Sequence, residues 1–155
     1  MHDHARTLAI TCLAFLFICV GVMGGSLGAG VAYATSYKSG SRDPRIKAVV
    51  EQSGAGPPGT DTYPVGSIPL MLMHGTADPS VPYAWSVHDF GVARTPKYLV
   101  TLLGAKHIQY DEPWLSISTR ASIDFFDGYL KGQDDRLHQL STDTNVPGKA
   151  RLQQG

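Results

Sequence analysis

Val20-Gly21-Val22-Met23-Gly24-Gly25-Ser26-Leu27-Gly28-Ala29-Gly30 passes from an apolar stretch, through a serine flanked by glycines, into a run of small residues. Its Gly24–Gly28 portion matches G-x-S-x-G, the pattern of a serine held on a sharp strand-to-helix turn. The reading predicts a strand over Ile18–Met23 and a helix from Leu27 to about Tyr37. Small residues at 24 and 28 let the turn close against neighbouring backbone. The Ser26 oxygen then projects at the strand's carboxyl end, and the N–H of Leu27 points toward a developing oxyanion.

Further along, two other residue types arrive at similar places. Leu72-Met73-His74-Gly75-Thr76-Ala77-Asp78-Pro79 puts an acid just after an apolar run, and Leu102-Leu103-Gly104-Ala105-Lys106-His107 puts a histidine just after the next. In a parallel sheet the carboxyl ends of the strands share one edge, so Ser26, Asp78 and His107 can converge there.

The rest of the chain supplies the sheet. Ile46–Val50, Ile68–Met73 and Lys97–Leu103 read as strands. Tyr83, Val87 and Phe90 follow Pro82 at helical spacing, and Ile123, Phe126 and Leu130 mark the apolar face of a helix over Pro113–Leu130 that Gly132 stops. Alternating strands and helices predict an α/β fold, a mostly parallel sheet flanked by helices. Glu51–Ser67 is a polar, Gly/Pro-rich connection with the place of a lid or of an ordinary surface loop. After Gly132 the sequence turns polar, and a frayed tail is expected over 132–155.

The apolar front end is ambiguous. No charged side chain lies between Arg6 and Lys38. Residues 1–17 read as a leader before a domain over 18–131, and three interpretations stay open. One is a secretory signal ending in Ala32-Tyr33-Ala34. Another is membrane association through residues 8–23, which fall short of the usual span of about 20. The third is a buried strand with an unrelated leader. The compartment is therefore undecided.

Composition narrows the function classes. With 155 residues and 43% hydrophobic content, the chain can bury one core. Thirteen basic and thirteen acidic side chains leave no net charge, so no global field favours nucleic acid. Cys12 and Cys19 lie in one apolar run and frame neither a disulfide scaffold nor a metal knuckle. His2, Asp3 and His4 sit at a terminus, and no metal is expected. His74 reads as a strand-end packing or supporting residue. Trp85, Tyr110 and Trp114 read as core or rim aromatics.

The segments VGVMGGSLGAG, RIKAVV, PLMLMHGTADPSVPY and LLGAKH together resemble the α/β-hydrolase fold, in particular the dienelactone-hydrolase-like and platelet-activating-factor-acetylhydrolase-like esterases. The resemblance spans about Ile18 to Lys131 and implies a partial, C-terminal half of that fold. It implies Ser26 as nucleophile, His107 as general base and acid, Asp78 as the orienting carboxylate and Leu27 as a backbone oxyanion donor. The implied substrate is a small-molecule ester, with no cofactor. The family places further strands and a second oxyanion donor upstream of the nucleophile, and often a histidine where Gly25 stands. The expectation is thus a serine esterase, or else an incomplete hydrolase remnant whose open sheet edge needs a missing N-terminal half, an oligomer or another partner.

Overall fold

The computed structural model describes residues 19–54, 63, 68–94 and 96–155 of the chain. Strand β1 (Val20–Gly25) leads through Ser26 into helix α1 (Leu27–Ser36), and strand β2 (Ile46–Gln52) follows. Next come β3 (Leu70–Gly75), α2 (Tyr83–Val92), β4 (Lys97–Leu102), α3 (Trp114–Lys131), α4 (Asp134–Thr144) and β5 (Ala150–Gln154). The protein is α/β: a mostly parallel sheet in the order β1-β2-β3-β4-β5, with only the β4–β5 pair antiparallel.

Right-handed crossovers between strands taken in sequence order return each helix to the same face. Accordingly α1 and α2 share one face, over a core that includes Ala32, Val49, Leu70, Leu72 and Leu99, with Phe90 packed against it. After β4 the chain crosses over. Helices α3 and α4 cover the other face, where Ile117, Ala121, Phe125 and Leu140 meet Val50, Met71, Met73 and Val100. Strands β2 and β3 are apolar and buried almost throughout because both faces are covered. Their carboxyl ends form the edge on which the chain's polar chemistry collects.

Several expectations are corrected. The stretch after Gly132 is ordered as α4 and β5. Its sparse apolar residues fall on one side: Leu140 is fully buried, Leu137 lies against Gly128, and Leu152 and Val146 pack on the core. The domain therefore runs to the last residues. The first strand is Val20–Gly25 and half-buried rather than buried. Of the stretch over 8–23, residues 8–18 lie outside the described residues and Val20–Met23 is extended; no described helix is long and apolar enough to cross a membrane. Ala32-Tyr33-Ala34 lies within α1, with Ala32 buried. The leader over 1–17, the His2/Asp3/His4 group, Cys12 and most of the 51–67 connection lie outside the described residues. The start of that connection, Glu51 and Gln52, closes β2.

The predicted helix faces shift as well. Val87 and Ile123, read as core-facing, are 43% and 49% exposed. Small and polar residues, Ser86 and Asp89 on α2 and Ser118, Ala121 and Ser122 on α3, occupy the buried positions instead. Close helix-to-sheet approach selects small side chains there, which a pattern of large apolar residues does not register. Gly132 ends α3 as expected, in the left-handed conformation.

Candidate active site

Ser26 sits between the last residue of β1 and the first of α1, with φ 53° and ψ −121°, a backbone conformation rarely adopted by a residue with a side chain. Three features over-determine it. The Ser26 N–H donates to Gln52 O at 2.8 Å, and Ser26 O accepts from Ala29 N–H at 3.0 Å. Gly24 and Gly54 supply the room: a Cβ on Gly24 would fall 2.0 Å from Gly28 O, and one on Gly54 2.5 Å from Ser26 O. A Cβ on Gly28 would meet nothing within 4 Å. The expectation that residue 28 must be small is therefore corrected, because the turn presses Gly28's carbonyl, and not its Cα hydrogens, against β1.

Asp78 follows β3 in a loop bound to the end of β4. Thr76 N–H donates to Leu102 O, Ala77 N–H to Ala105 O, and Gly104 N–H to the Thr76 hydroxyl. A Cβ on Gly75 would lie 2.2 Å from Ala105 O, so glycine there lets the two loops touch. Asp78 Oδ1 accepts the N–H groups of Ser80 at 2.7 Å and Val81 at 2.9 Å. Its Oδ2 lies 2.7 Å from His107 Nδ1. Burial by itself raises the Asp78 carboxyl; the N–H groups of Val81, His107 and Ser80 outweigh it and hold the carboxyl below its ordinary value.

His107 closes the chain of contacts. Its Nε2 is 2.7 Å from Ser26 Oγ. A carboxylate only accepts, so Nδ1 carries the proton that faces Asp78, Nε2 is left as an acceptor, and the Ser26 O–H donates to it. The Asp78 side chain is inaccessible and that of His107 is 22% exposed, so the array opens to solvent at its serine end. Leu27 is the first residue of α1, where an N–H has no acceptor one turn earlier. The structure thus brings together all four residues singled out in the sequence: Ser26, Leu27, Asp78 and His107.

No family model matches this chain, and no curated protein matches it.

Two further residues support the array, of which only Gln109 escaped the sequence reading. Gln109 is buried, and its amide N–H groups donate to Lys106 O, His107 O and Ser53 Oγ while its Oε1 accepts from Gln52 at 2.5 Å. It fastens the loop bearing His107 to the end of β2. His74, read as a strand-end packing or supporting residue, has its Nε2 3.0 Å from Asp78 Oδ2 and its Nδ1 2.6 Å from Ser86 Oγ. Gln109 had no local signal, since its partners meet only in the fold. Beside the array, Met23, Gln52, Ile108, Gln109, Tyr110 and Leu115 line part of a recess of about 330 Å³. Trp85 has no part in the contacts described here, and Trp114 is a rim residue whose indole N–H donates to Leu103 O. Among the described residues no group of His, Cys, Asp and Glu is arranged to hold a metal ion.

Proposed function

We propose that this chain is a serine hydrolase of carboxylic esters, using Ser26, His107 and Asp78 as a catalytic triad in the manner of the α/β-hydrolase esterases it resembles. The observation that carries the reading is the unbroken contact Ser26 Oγ to His107 Nε2, then His107 Nδ1 to Asp78 Oδ2, ending on a serine in a strained elbow. Ser53 also has a positive φ, at 49°, so the strain gains its meaning from the contact of Ser26 with the His107–Asp78 pair.

In the proposed reaction, Ser26 Oγ attacks the ester carbonyl carbon as its proton passes to His107 Nε2. Asp78 stabilises the imidazolium. The oxyanion is met by the N–H of Leu27, and collapse of the tetrahedral adduct transfers the proton to the departing alcohol and leaves an acyl group on Ser26. Water then gives a proton to His107 as it attacks the acyl carbon, and collapse of this second adduct breaks the acyl–Oγ bond, releases the acid and returns the proton from His107 to Ser26 Oγ. The recess beside Ile108 suits a small molecule with an apolar substituent.

A second reading is a hydrolase remnant that needs a partner along β1. It is favoured by the outer edge of that strand, for which the described residues supply no neighbour, and by Met23 at 47% exposure. One experiment separates the two. With an activated nitrophenyl ester, the first reading expects a burst of about one equivalent of nitrophenol per chain, with the acyl group mapped to Ser26. A folded chain with neither burst nor turnover contradicts it and favours the second.

A further inference from the structure

Asp78 is a meeting point of two serine–histidine pairs. On one side His107, bonded to Ser26, reaches its Oδ2; on the other His74, bonded to Ser86, reaches the same oxygen. Burial separates their roles. Ser86 on α2 and His74 on β3 are 1% and 0% exposed, so no substrate meets the second pair.

The protonation of the buried pair follows from its neighbours. His74 Nε2 faces two acceptors, Asp78 Oδ2 at 3.0 Å and Val81 O at 3.1 Å, and so bears the hydrogen. Burial favours the uncharged ring, against the pull of Asp78, and His107 adds repulsion on the same side. Nδ1 of a neutral ring is then an acceptor, and the Ser86 O–H donates to it. The ring of Tyr83 stands edge-on at 5.9 Å and adds no charge. A carboxylate has about four acceptor sites. Here Ser80 and Val81 fill those of Oδ1, and His107 and His74 fill those of Oδ2.

We infer that His74 is a positioning residue for the reaction at Ser26: its Nε2–H is the fourth donor to Asp78, fixing Oδ2 in line with His107, and Ser86 fixes the tautomer that makes this possible. The inference rests on the hydrolase reading for its functional consequence, but the hydrogen-bond assignment stands apart from it.

The test uses the full chain. Long-range proton–nitrogen NMR of the wild type reads the tautomer of His74 without any variant; the Nε2–H form is expected, and the Nδ1–H form overturns the inference. Two polar replacements then divide the ring's functions. In His74→Gln the side-chain amide nitrogen reaches the Nε2 position, whereas in His74→Asn it reaches only the Nδ1 position, toward Ser86. Fluorophosphonate labelling of Ser26 is expected to slow by roughly 10- to 100-fold in His74→Asn and to stay within about threefold of wild type in His74→Gln. The downfield proton on His107 Nδ1 should be lost in the first and kept in the second. Equal rates and equal spectra in the two variants overturn the inference. A wild type that forms no adduct at Ser26 counts against the hydrolase reading, and the tautomer then decides this inference by itself.

Discussion

At Ser26 the molecule holds a side-chain-bearing residue at φ 53°, a conformation that costs on the order of 1–3 kcal/mol. Glycine accepts it freely. Ser26→Gly is therefore expected to melt about 2–4 °C above Ser26→Ala while both abolish covalent labelling, given that a net strain relief of about 1 kcal/mol corresponds to roughly that shift at this size. The comparison is with Ser26→Ala, which loses the same hydroxyl and keeps the Cβ; a glycine variant that melts no higher than the alanine variant, by calorimetry, would contradict strain at the elbow. Asp78 gives a second expectation at the same scale. Its carboxyl is held below the ordinary value, so its stabilising contribution is complete above the unfolded-state value of about 3.9 and is lost as pH falls through the lower folded-state value. Melting temperature should fall more steeply below about pH 4 in wild type than in Asp78→Asn, which has no proton to take up. Parallel acid limbs would contradict this. The candidate residues themselves were legible because each carries its signal locally, Ser26 in a glycine-flanked turn and Asp78 and His107 just past apolar runs. Ser86 was not, and His74 was legible only as a strand-end packing or supporting residue. They lie in one short segment, yet their meaning comes from Asp78 having a free lone pair after His107 is satisfied.

Among the elements, the loop between β4 and α3 decides where His107 stands, and Gln109 is its main tie. Replacing Gln109 with Leu leaves the carbonyls of Lys106 and His107 and the hydroxyl of Ser53 without that donor, which costs about 1–3 kcal/mol when such groups are buried. Gln109→Leu should lower the melting temperature and slow Ser26 labelling together. Labelling at the wild-type rate would mean that the Asp78 contact alone places His107. Strand and helix types were readable from periodicity and from Pro82 and Gly132, and most strand ends fall within a residue or two of the reading. Which helix face turns inward was not, because α2 and α3 bury Ser86, Ser118 and Ser122 and leave Val87 and Ile123 outside. Ser118 and Ser122 bond to carbonyls one turn back, which lets a polar residue sit in the packed layer without an unsatisfied hydroxyl.

For the molecule as a whole, the segment that looked like a tail completes the sheet. Strand β5 pairs antiparallel with β4 from Tyr98↔Gln154 to Leu102↔Ala150, and the N–H of Leu103 donates to Lys149 O. Its sequence, Ala150-Arg151-Leu152-Gln153-Gln154, is too polar to announce a core strand, since an edge strand needs apolar residues only on its inner side. Ending the chain after Asn145 should uncover the β4 edge, lower the melting temperature by roughly 5–10 °C and promote association visible by light scattering. An unchanged melt would return 146–155 to the status of a tail. The opposite edge, β1, for which the described residues supply no neighbour, carries the proposed nucleophile, so the site and an unpaired edge coincide. That coincidence makes the reactivity of Ser26 in the full chain the central question.

The most direct measurement is reaction of residues 1–155 with a fluorophosphonate, beside Ser26→Ala and His107→Ala, with any adduct located by peptide mass. The account predicts one adduct, on Ser26, absent from both variants. A soluble, folded chain that takes no label, or labels at another residue, would contradict it.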